Sequence, residues 1–73
     1  MANFAERLKY LRSKNGITQD SLGKVIGVTP DSISVYEKGR NYPEARKLIT
    51  LAEHFGVSID YLVGRTDNPE VNR

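Results

Sequence analysis

The side chains of this chain that could do chemistry are hydrogen-bonding and cationic, and they crowd into one stretch: Thr29, Ser32, Ser34, Lys38, Arg40 and Asn41. Their types suit recognition of anions and base edges rather than bond making. Elsewhere no nucleophile is paired with a base and no carboxylates form a constellation, so an enzyme is not expected. His54, the single histidine, has no cysteine with which to share a metal and reads as a surface side chain. No metal and no cofactor are expected.

Local signals around this stretch predict two short helices joined by a tight turn. Thr18 can cap a helix over Gln19–Ile26, Leu22 and Ile26 share one face, and Gly27 allows the chain to leave the helical path. Thr29 then caps a second helix, with Pro30 at its first position and Asp31 complementing the positive end of the dipole. Such a pair is a helix-turn-helix, and its second helix has the width of the B-DNA major groove. The predicted recognition helix runs from Thr29 to Lys38, with Pro30, Asp31, Ser34, Val35 and Lys38 able to face bases. Asp31 can accept from cytosine N4, Ser34 is adaptable, and Val35 can pack on a thymine methyl. For Asp31 a purely helix-dipole role is the competing assignment. Thr29, Ser32, Lys38, Arg40 and Asn41 flank the motif as candidate phosphate contacts, which position without specifying.

The remaining helices must hold this pair in place. Phe4, Leu8 and Leu11 recur at helical spacing, predicting a helix to about Asn15. Leu48, Leu51, Ala52 and Phe55 predict a fourth over 44–55, and Ser58 can cap a short fifth, Ile59–Val63, ended by Gly64. Gly23 is unusual inside a helix and suggests a close crossing of two helix backbones. Residues 1–64 therefore form one all-α domain, and residues 65–73 read as a flexible polar tail. Tyr10 and Tyr42 could touch DNA backbone, though half-buried packing is the commoner role.

Seventy-three residues without cysteine allow one small core and no disulfide. No apolar run approaches a membrane span, so a soluble cytoplasmic protein with no membrane partner is expected. Charge is uneven. Nine basic against five acidic residues up to Lys47 leave +4, and two against four beyond it leave −2. A basic DNA-facing half and an opposite half free for other contacts follow from that asymmetry. In the latter, Ile59, Tyr61 and Val63 either close the core or form a homodimer interface.

Three segments, ERLKYLRSKNGITQDSL, GVTPDSISVYEKGRNYP and LITLAEHFGVSIDYLVG, in this order and without insertions, resemble the Cro and phage-repressor type of helix-turn-helix domain, the xenobiotic-response-element family of bacterial regulators. The resemblance covers Phe4 to Gly64. It implies a five-helix, lambda-repressor-like fold and a homodimeric transcriptional repressor on a palindromic operator in double-stranded DNA. It further implies that Gln19 contacts backbone phosphate and that Arg12 and Glu37 form a structural ion pair. Gly23 stands where the family usually has alanine. An antitoxin or a restriction–modification controller would use the same domain, with a toxin or an anti-repressor as a possible protein partner. A protein-interaction module without a DNA site is the alternative from another class.

Overall fold

A computed structural model describes residues 2–71. Five helices follow one another: α1 (Phe4–Lys14), α2 (Gln19–Ile26), α3 (Pro30–Glu37), α4 (Ala45–Phe55) and α5 (Ile59–Leu62). Four of the five starts carry a side-chain cap. Thr18, Thr29 and Ser58 accept from the backbone N–H groups of Ser21, Ser32 and Tyr61, supplying partners to donors that a helix start leaves free. Asn3 and Glu6 add a reciprocal capping box on α1 that the spacing Asn-x-x-Glu advertises. Helix α4 alone starts without a side-chain cap, behind Glu44. Glycines at positive φ, Gly27 at 76° and Gly56 at 67°, turn the chain out of α2 and α4.

The helices close around one core. Phe4, Leu8 and Leu11 meet Leu22 and Ile26, Ile33 and Tyr36, Leu51 and Ala52, and Val57 and Leu62. Leu8, Leu22, Ile33, Leu51 and Leu62 are wholly buried, each contributing roughly 1.5–3 kcal/mol by leaving water. Helix α3 is therefore held by its inner face, Ile33 and Tyr36, against α1 and α2.

Gly23 is where α2 and α3 are fitted together. A Cβ there would lie 2.5 Å from the Val28 carbonyl oxygen and 3.3 Å from the Thr29 carbonyl carbon. The close approach is thus to the turn and cap preceding α3, not to the body of a crossing helix. Val28 N–H in turn donates to Gly23 O at 2.9 Å.

Residues 65–70 do not extend away from the domain as a free tail would. Arg7, buried on α1 at 5% exposure, donates to the carbonyls of Tyr61 (3.0 Å) and Thr66 (3.3 Å) and to Asp67 Oδ1 (3.1 Å). Ser58 N–H donates to Pro69 O at 3.0 Å. A buried guanidinium needs acceptors, and this segment supplies two of them, so it belongs to the folded unit.

Candidate nucleic-acid interface

The outward face of α3 carries Pro30 and Asp31, both exposed, then Ser34 and Val35, half-buried and outside the core, and Lys38, the exposed C-cap. These five occupy one side of the helix because Ile33 and Tyr36 are drawn into the core on the other. Thr29 Oγ1 accepts the Ser32 N–H at 3.2 Å and lies 3.1 Å from the Ser32 hydroxyl, so both side chains are engaged in the α3 cap. Arg40 and Asn41 follow in the exposed loop; Asn41 Oδ1 accepts the Tyr42 N–H at 2.9 Å.

Glu37 ties three helices. Its side chain is 6% exposed; Oε2 accepts from Arg12 Nε at 2.5 Å, and Oε1 accepts from Arg12 Nη2 at 3.1 Å and from Gln19 Nε2 at 3.2 Å. Arg12 Nη1 donates to Ile17 O at 2.9 Å. A carboxylate gripped by a guanidinium fork and an amide satisfies most of its acceptor sites, and the network locks the start of α2 to the end of α3. The hydrogen bond to Glu37 raises the Arg12 pKa; desolvation opposes this, and the Glu37 charge adds to the rise. Lys9, Arg12, Gln19, Ser34, Glu37 and Lys38 together line a recess of about 300 Å³ beside α3.

Other expected positions fall differently. Tyr61 and Val63 are half-buried against their own core, Tyr61 beneath the Arg7 guanidinium, while Ile59 is 42% exposed. With Ile49 and Val71, Ile59 lines a groove of about 740 Å³ between α4, α5 and the C-terminal segment. Tyr10 and Tyr42 are exposed at 51% and 62% rather than half-buried, although Tyr42 leans on Phe4 at 5.5 Å between ring centroids. His54 is exposed, its ring edge-on to Phe55. Arg7 was not among the candidate residues; its place three residues after Phe4 and one before Leu8 puts it on the apolar stripe, which is the signal that could have found it.

Residues 5–67 match the family model for a helix-turn-helix domain. The chain belongs to that helix-turn-helix family. One relative is the uncharacterized HTH-type transcriptional regulator YobD of Bacillus subtilis (strain 168), 36% identical over 67 residues, covering 92% of this chain and 60% of YobD. The domain spans about three-fifths of the length of the first relatives it matches. In three dimensions it is similar to the P22 c2 repressor in complex with synthetic operator 9T, with a TM-score of 0.80 and 33% identity over 86% of this chain and 96% of that one. This helix-turn-helix domain is therefore all-α and lambda-repressor-like, and its relatives are transcriptional regulators. The fold also occurs as 32% of the hydroxypropylphosphonic acid epoxidase from S. wedmorenis, at a TM-score of 0.74 and 30% identity.

Proposed function

We propose that this chain is a sequence-specific transcriptional repressor that binds a palindromic operator as a homodimer, with α3 in the major groove. The observation that supports this most directly is the surface of α3: an uninterrupted outward face, Pro30, Asp31, Ser34, Val35 and Lys38, on a helix whose inner face is committed to the core. Those five side chains are the proposed base readers. Gln19, Thr29, Ser32, Arg40 and Asn41 are the proposed phosphate contacts, Thr29 and Ser32 acting from the start of α3, where backbone N–H groups and the dipole favour an anion. Similarity to an operator-bound repressor domain supports the same docking. For the homodimer, exposed Ile59 is the proposed contact, with Tyr61 and Val63 supporting it from below. The polar, small character of the reading face leaves part of the specificity to Lys38, Arg40, Asn41 and DNA deformability.

Binding to the upstream intergenic DNA of its own gene, titrated over several salt concentrations against a scrambled duplex, tests the proposal. Preferential binding that weakens linearly in log salt, with a two-fold symmetric footprint, is the expected result. Equal binding to both duplexes removes that operator, and no binding even at low salt removes DNA recognition. The second reading, a protein-interaction module with this fold, is the one the last outcome would select.

A further inference from the structure

The groove between α4, α5 and the C-terminal segment is built from three parts of the chain. Ala52 and Val57 are buried beneath it, whereas Ile49 of α4, Ile59 of α5 and Val71 remain exposed around it. The wall that carries Val71 is fixed from behind, because Ser58 N–H donates to Pro69 O at 3.0 Å. Three aliphatic side chains left in water around one depression form an apolar patch without a cover, which marks an interaction site where a lone exposed residue would not. Two carboxylates, Glu53 and Asp60, line the same groove, and no cationic side chain does. Both are exposed, and neither takes part in an ion pair among the described residues. Asp60 lies in the first turn of α5, whose four residues offer little dipole to offset it. The groove is therefore apolar and negative in a chain whose net charge is +2.

From this combination we infer that the groove docks a cationic, amphipathic segment of a partner protein, its apolar residues resting on Ile49, Ile59 and Val71 and its lysines or arginines meeting Glu53 and Asp60. A helix that presents apolar residues at i and i+4 with basic residues beside them has that pattern, the helix-in-groove mode of recognition. Charge decides against the other occupants. DNA and an anionic membrane surface are repelled by the two carboxylates. A second copy set groove to groove about a two-fold axis would bring four carboxylates together with no cation among the lining residues, so like charges oppose it. Ile59 is also the dimer contact proposed above, so the docked segment and a second copy exclude one another there. That consequence rests on the homodimer reading; the docking itself does not.

The test pans the full chain against displayed random peptides about 15 residues long, enough for roughly four helical turns, and subtracts those also retained by Glu53→Gln with Asp60→Asn. Parent and variant should melt together, since the exchanged groups are exposed and keep their shape. Peptides left after subtraction are expected to combine apolar residues at i and i+4 with Lys or Arg. Made synthetically, they should bind the parent about tenfold more tightly than the doubly neutralised chain, with a preference that shrinks as salt rises. Ile49→Ser should weaken them by a similar factor. Glu70→Gln, an equal charge lost from an exposed position outside the groove, should change nothing. Peptides without basic residues, equal binding by the parent and the neutralised chain, or binding indifferent to Ile49→Ser would overturn the docking. Self-association that tightens on neutralisation, measured by sedimentation, with no peptide distinguishing the two proteins, would overturn it in favour of a second copy. No DNA enters the test, so each of these outcomes leaves the operator-binding reading standing.

Discussion

The Arg7 guanidinium carbon lies 3.8 Å from the centroid of the Tyr61 ring, so a fixed positive charge is sandwiched between an aromatic face and the C-terminal segment. Cation–π contact and carbonyl acceptors together make this burial tolerable. Asp67, whose side chain is 82% exposed, adds little, because solvent screens an exposed ion-pair partner.

Truncation after Gly64 should accordingly destabilise the domain by roughly 2 kcal/mol, through loss of the Thr66 and Asp67 acceptors of Arg7 and the Pro69 acceptor of Ser58. Asp67→Ala alone should cost less than about 1 kcal/mol. Urea midpoints of the two variants check the contrast, and equal losses would mean that the carboxylate rather than the carbonyl carries the clamp.

The Arg12–Glu37 pair should behave as a buried one. Arg12→Ala leaves Glu37 without its fork and should cost about 3 kcal/mol, whereas Arg12→Met with Glu37→Leu should recover much of that loss. Arg12 has its pKa raised in the folded state. Stability linked to its proton is therefore fully present below the ordinary guanidinium pKa and lost only as pH rises through the higher folded value, so Arg12 adds no slope between about pH 6 and pH 10. Denaturant unfolding of the parent and variants across that range reads both effects.

Val35→Glu should abolish DNA binding while shifting the thermal midpoint by no more than a surface substitution does, within about 0.5 kcal/mol. Val35 is half-buried and outside the core cluster, and a carboxylate there would face phosphate and base acceptors. Parallel melting and gel-shift measurements decide it; loss of folding would place Val35 in the core.

Two glycines of similar φ should respond differently to alanine. Gly64 sits at 85° with a prospective Cβ only 2.2 Å from the Ala2 carbonyl oxygen, whereas Gly56, at 67°, opens onto empty space. Gly56→Ala should cost about 1 kcal/mol, the left-handed penalty alone. Gly64→Ala should cost clearly more, since the backbone before α1 must move. Thermal melts of both variants supply the comparison.

Helix order and core were legible wherever local signals were complete. Thr18, Thr29 and Ser58 announced their caps, and the spacing of Phe4, Leu8 and Leu11 announced a buried face. What escaped was set by partners distant in sequence. Arg7 has the composition of a surface residue, and its acceptors lie some 54 to 60 positions away. The C-terminal segment lacks periodicity because its backbone, rather than an apolar stripe, makes the contact. On the outward face of α3, the spacing of Pro30, Asp31, Ser34, Val35 and Lys38 identified a shared side, but the link from Gln19 to Glu37 and the place of Lys9 beside them depend on how three helices meet.

The fit of Gly23 beneath the Val28 carbonyl means that main chain rests on main chain where α2 hands over to α3. The angle between the two helices thus depends little on which side chains α3 turns outward. Under the proposed operator-binding role, such a joint separates inheritance of the scaffold from inheritance of the target: outward positions of α3 could be exchanged, one operator traded for another, while the joint beneath them stays the same.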